Sequence, residues 1–174
     1  MQSRLVSIGS IVPNYTIMSN PSIQQIIADS KFFSTLAADD GDFLAANAAQ
    51  RQLAAGKVLF HHGDPAEHFY LLCEGHLSLE IPAIEGPSLT LQDIGPGQVA
   101  GWSWLIPPNR WNFQARARTD VDYLEFDGVK IFEHCEADPK FGYELVKRFS
   151  TLMSERLQFA RQKMMEEWKP LGFA

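Results

Sequence analysis

Between Gly101 and Asn112 the chain sets three tryptophans, Trp102, Trp104 and Trp111, around one cation, Arg110. A guanidinium among aromatic rings suits a small anion: its planar fork pairs with carboxylate or phosphate oxygens while the rings flank an apolar body. On this reading Arg110 is the centre of an aromatic-lined pocket and Asn112 a polar contact. The competing reading is packing, in which the rings fill the interior and a carboxylate such as Asp120 or Asp122 satisfies Arg110. Pro107-Pro108 stiffens the loop either way. A second constellation is His61, His62 and His68 with Glu67. These residue types bind metals, but adjacent His61 and His62 point to opposite faces of a strand, so one ion cannot readily take both. They read as surface or core histidines. Cys73 and Cys135 lie far apart without a CxxC spacing and read as buried, inert thiols. No Ser/His/Asp set or carboxylate pair converges, so neither catalysis nor a bound metal is expected.

These residues must be held by regular elements, and the pattern of the chain supplies them. Pro21 opens a helix through Ile23, Ile26 and Ile27. A second helix runs through Phe43–Ala49, preceded by the acids Asp39, Asp40 and Asp42. From Lys57 to Asp127 the period is that of strands and turns. Leu77, Leu79 and Ile81 alternate with polar neighbours, as do Phe113, Ala115 and Ala117, and Gly63-Asp64-Pro65 and Pro96-Gly97 make turns. Beyond Asp127, which can cap a short helix over Val129–Cys135, a long helix extends from Pro139 to Trp168. Its apolar side is read as Val146, Phe149, Met153, Leu157, Ala160, Met164 and Trp168. Residues 1–20 show no clear period and read as a loose N-terminal extension, and 169–174 as a tail.

Composition bounds what this assembly does. With 174 residues, 45% hydrophobic and 21% charged, the chain has the composition of an ordinary globular domain, and a disordered chain is not expected. The net charge is −6. Residues 1–138 carry 8 Lys+Arg against 17 Asp+Glu, and 139–174 carry 7 against 4. No segment is basic enough to be a nucleic-acid footprint. No apolar run reaches the roughly 18 residues of a membrane span, and no signal peptide is seen, so a cytoplasmic location is expected.

The strand and glycine order resembles the cyclic nucleotide-binding domain superfamily, which includes the catabolite activator protein, protein kinase A regulatory subunits and cyclic-nucleotide-gated channels. The stretches that carry the resemblance are Ala55-Gly56-Lys57-Val58-Leu59-Phe60, Gly63-Asp64-Pro65-Ala66, Phe69-Tyr70-Leu71-Leu72, Glu74-Gly75-His76-Leu77 and Ile94-Gly95-Pro96-Gly97-Gln98, continuing into Ala100-Gly101 and Arg110–Ala115. It covers about residues 30–165, and GWSWL resembles the cassette of short, single-domain bacterial members. The resemblance implies a mainly β fold with α: an eight-stranded jelly-roll barrel, cupin-like in its double-stranded β-helix, with N-terminal helices and a long C-terminal helix. The domain then spans 21–168, with helices in 21–51, the barrel in 55–127 and C-terminal helices in 128–168.

In this family a short cassette holds the ligand, and its pattern places Gly101 at the glycine. Ser103, Trp104 and Leu105 begin the small helix, Arg110 is the phosphate arginine and Ala115 the closing alanine. Trp102 stands where the family's ribose-binding Glu belongs. An indole only donates, so the ribose hydroxyl loses an acceptor worth about 1.5–3 kcal/mol. The expected function is a stand-alone regulatory sensor module, not an enzyme, whose cAMP or cGMP binding is weak, altered or lost. The candidate ligand-binding residues are Gly101, Trp102, Ser103, Trp104, Leu105, Arg110, Trp111 and Asn112, and the candidate ligand is a cyclic nucleotide or another small anion. One alternative is an interaction barrel whose degenerate pocket is filled by Trp102 and Trp104. Another is a cupin-like metalloenzyme, although the second cupin motif is absent from 95–109. The activator-like branch pairs subunits through the long helix, so a homodimer through 139–168 is expected. That branch also adds a winged helix-turn-helix of roughly 60 residues. Only Lys169–Ala174 follow here, and direct DNA binding by this chain is not expected.

Overall fold

The alternation of Leu77, Leu79 and Ile81 puts two leucines on one face of a strand, and the fold is built by repeating that device. In a computed structural model, which describes residues 21–86 and 88–167, eight strands form two antiparallel sheets. The strands are β1 (Ala48–Leu53), β2 (Val58–Phe60), β3 (His68–Glu74), β4 (Leu77–Ile81), β5 (Leu89–Ile94), β6 (Val99–Ala100), β7 (Gln114–Ala117) and β8 (Val121–Asp127). One sheet has the order β1-β8-β3-β6 and the other β2-β7-β4-β5. This is the expected mainly β jelly roll with flanking helices, except that the sheets face each other as a sandwich and do not close into one hydrogen-bonded barrel. The readings of residues 1–20, 169–174 and Trp168 fall outside the described residues.

Period-two side chains give the first sheet two working faces. Tyr70, Leu72, Val121 and Tyr123 point inward and meet Phe60, Leu77, Leu79, Ala115 and Ala117 of the second sheet, forming an inner core. Phe69, Leu71, Leu124 and Phe126 point outward and form an outer core with the helices. The second sheet also buries polar groups, because Glu80 is only 7% exposed. Burial alone would raise its pKa, yet hydrogen bonds from Ser78, Gln114 and Arg116 hold the carboxyl below its usual value.

The helices are α1 (Ile23–Asp29), α2 (Ala38–Ala46), α3 (Gly128–Ala137) and α4 (Pro139–Glu167). Asp127 caps α3 as expected, its side chain accepting from the Lys130 N–H. The region expected to be helical through residue 51 instead gives way to β1 at Ala48. Ala48-Ala49-Gln50-Arg51-Gln52 has helix-forming residue types, but six consecutive pairings with β8, from Ala48↔Phe126 to Leu53↔Val121, override that preference.

The long helix differs in its buried face. Phe141, Leu145, Phe149 and Leu152 pack on the sheet. Of the stripe read from sequence, Phe149 is fully buried, whereas Val146, Leu157 and Met164 are 42%, 71% and 66% exposed. Arg148 fastens this helix to the N-terminal layer: its Nε donates to the Phe32 carbonyl at 3.0 Å, its Nη1 to the Glu144 carbonyl, and its Nη2 to Thr35 Oγ1.

Candidate functional site

After β6 the backbone turns at Gly101 with φ of +90°, a left-handed conformation that side chains rarely adopt. Space demands glycine as well, because a Cβ here would lie 2.7 Å from Cη2 of Trp111. Trp102 leads into one 3-10 turn, Ser103–Leu105, in which the Leu105 N–H donates to the Trp102 carbonyl at 3.1 Å. Trp104 is 4% exposed, stacked 5.0 Å from Phe69 and edge-on to Phe149 at 5.3 Å. Its Nε1 is buried and meets no acceptor among the described residues. Asn109, at φ 53°, pins the turn by donating from Nδ2 to the Trp104 carbonyl at 2.6 Å. Left-handed backbone is tolerated by Asn because its short side chain bonds locally.

Arg110 is exposed and directed to another loop. Its backbone forms a bridge with Pro65, and its Nη1 donates to the Gly63 carbonyl at 2.7 Å. Neither Asp120 nor Asp122 is its partner; Asp120 instead accepts from the Ala55 N–H at 2.8 Å. Trp111 turns inward, 5% exposed, its ring stacked on Phe60 at 3.9 Å with 17° between planes. What remains of the cassette interior is a hollow of about 20 Å³, lined by Gly101, Trp102, Ser103, Trp111, Asn112 and Arg156 among others. That is room for about one water molecule, whereas ligand pockets run to about 300–1,000 Å³.

Of the eight candidate residues, then, Gly101, Trp102, Ser103, Trp111 and Asn112 surround one hollow. Trp104 and Leu105 face a separate groove with Pro65, Val129 and Phe132. Arg110 lines neither. The ring that fills the interior is Trp111, while Trp102 and Trp104 pack in the outer core.

Sequence reasoning missed Arg156. It projects from α4, donates from Nη2 to the Val99 carbonyl at 3.0 Å, and buries an Nη1 that meets no acceptor among the described residues. Burial pulls its pKa down to about 10, partly opposed by Glu155. The signal was present in the spacing, since positions 145, 149, 152 and 156 continue one helix face. The cysteines are half-buried, and burial raises both thiols, Cys135 to about 11, so neither is a reactive thiolate at neutral pH. Among the described residues no three His, Cys, Asp or Glu side chains come together as a metal set, and no helix is long and apolar enough to cross a membrane.

The family model for the cyclic nucleotide-binding domain matches residues 50–138. The cyclic AMP receptor protein of Thermus thermophilus is 28% identical over 95 residues, covering 55% of this chain and 44% of that protein. The chain thus spans less than half the length of the curated relative it matches. A Geobacter metallireducens chain described as cyclic nucleotide-binding superposes with a TM-score of 0.71 at 24% identity, over 79% of this chain and 99% of that one. A cyclic nucleotide-binding domain from Methylobacillus flagellatus gives 0.71 at 18% identity, over 87% and 84% of the two chains. At these identities the superpositions establish the fold.

Proposed function

The chain belongs to the cyclic nucleotide-binding domain family, and from that premise we propose that it is a regulatory sensor module whose nucleotide cassette is closed by its own tryptophan. The observation that carries this reading is Trp111, stacked on Phe60 and lying over Gly101, with about 20 Å³ left beside it. Two further facts support it. Trp102 offers no acceptor to a ribose hydroxyl, and the Arg110 guanidinium is turned toward the Gly63 carbonyl and lines no part of the hollow. A cyclic nucleotide would have to displace a stacked indole and draw Arg110 away from the Gly63 loop before the cassette could enclose it. Calorimetric titration with cAMP and cGMP should therefore show no saturable binding up to about 1 mM, which is weaker than about −4 kcal/mol. Micromolar binding that disappears in Arg110→Gln would overturn the reading.

The output of such a module is α4, and its partner a second copy of the chain. Tyr143, Val146, Met153, Leu157 and Met164 recur at steps that keep one side of the helix apolar, yet Tyr143, Leu157 and Met164 are each about two-thirds exposed. The sheet takes the adjacent side, with Met153 packing at the edge of the outer core, and Tyr143, Val146, Leu157 and Met164 are left exposed to meet another helix. Light scattering should give twice the 19.6 kDa chain mass at micromolar concentration, and the double variant Leu157→Glu, Met164→Glu should give the single mass with unchanged circular dichroism. A monomeric wild-type protein would rule the pairing out.

A further inference from the structure

A cleft of about 480 Å³ lies on the other side of Arg156, between α4, the segment 97–99 and the turn bearing Lys31. Its volume falls in the range of small-molecule sites, about twenty-four times that of the cassette hollow. Three cations line it, Lys31, Arg148 and Arg156, against one carboxylate, Glu155. Arg148 commits four of its five N–H donors to Phe32, Thr35 and Glu144, so it contributes chiefly charge. Arg156 differs: one nitrogen is held by the Val99 carbonyl while Nη1 is buried without an acceptor among the described residues. An unmet donor on a cation is costly to leave dry and favours an anionic partner. The remaining walls include Phe32 and Phe159, the latter 52% exposed although it is a large apolar ring. Charge at one end and aromatic surface at the other describe one kind of ligand.

We propose that this cleft binds a small aromatic oxyanion, an aryl carboxylate or aryl phosphate, with its charged group on Arg156 and Lys31 and its ring against Phe32 and Phe159. The proposal rests on the sensor reading and relocates the ligand from the cassette to the outer side of the same arginine. Nη2 is held by Val99 and Nη1 is sealed from solvent, so the oxyanion is met when the Arg156 side chain turns its unmet Nη1 toward the cleft, with Lys31 adding a mobile point charge. Because Arg156 lines both spaces and bonds Val99 next to the cassette, an occupied cleft acts on α4 and on Gly101–Trp102 through one side chain.

The test is titration of the full chain at low salt with phenyl phosphate and benzoate, with benzyl alcohol as the uncharged control. Both anions should bind saturably, the alcohol at least about ten-fold more weakly, and the Gln98 side-chain amide should shift in the nuclear magnetic resonance spectrum. Arg156→Gln should weaken the anions about ten-fold or more. Thr151→Glu, an exposed lining position where folding is not at risk, should weaken them as well and spare the alcohol. Arg110→Gln should change nothing. Equal affinity for anion and alcohol, indifference to both cleft variants, or no anion binding at all would overturn the proposal. None of those results touches the closed cassette, which fails separately if cyclic nucleotides bind and Arg110→Gln abolishes their binding.

Discussion

Trp111→Ala is expected to destabilise the fold by about 3–5 kcal/mol, seen as an earlier midpoint in urea unfolding. The indole is 5% exposed, stacked at 3.9 Å on Phe60, and packed against both Tyr70 and the backbone at Gly101. Its removal takes away a large apolar surface and leaves a void beside the existing hollow, with Phe60 and Gly101 fixed in strands or at a strand end and little able to close it. A loss below about 1 kcal/mol would mean that the ring is a loosely held gate and not a structural plug, and the closed-cassette reading would fall with it. The size of this effect therefore reports on function as much as on stability.

Phe149→Ala should be as damaging, about 3–5 kcal/mol, for a different reason. This ring is fully buried and meets Phe32 and Phe69, each at 5.2 Å, and Trp104 at 5.3 Å, all edge-on. Such pairs each add about 0.5–1.5 kcal/mol beyond buried area, so the position joins α4, the N-terminal layer, the sheet and the cassette in one cluster. Leu157→Ala, 71% exposed on the same helix, should stay within about 0.5 kcal/mol in a monomeric background. Chemical denaturation of the two variants tells the faces apart. Were the stripe through Val146 and Leu157 the one on the sheet, the order of the two losses would reverse.

Much of the fold was legible because its signals are local. The alternation in 77–81 and the turn glycines are fixed by a few neighbouring residues, and the sheets confirm them. β1 and β6 were not legible. The first exists through pairing with β8, about seventy residues away, and the second is two residues long. The helix α4 was found, but its orientation was not, since two apolar stripes share it and spacing alone does not say which one a sheet will cover. The site shows the same division. That Gly101, Trp102 and Ser103 gather was readable from the family resemblance, and Trp111 and Asn112 from the reading of an aromatic-lined pocket. The redirection of Arg110 depends on the Gly63 carbonyl, a tertiary partner that no motif encodes. Arg156 escaped notice because a charge on the buried face of a helix contradicts the pattern by which such faces are recognised.

The two buried tryptophans of the cassette, Trp104 and Trp111, sit in different cores, the first beside Phe149 in the outer and the second beside Phe60 in the inner. The sheet carrying β3 and β8 stands between those cores as a wall. The six residues between the two rings therefore act as a crank passing around the edge of that wall. Its bearings are Asn109, whose side chain grips the Trp104 carbonyl and whose own carbonyl is held by the Ala66 N–H at 2.8 Å. The covalent path from one ring to the other therefore runs around the sheet edge and does not pass through the sheet pairing. One short loop thus seats a ring in the interior of the sandwich and another against the long helix, whether or not anything occupies the cassette.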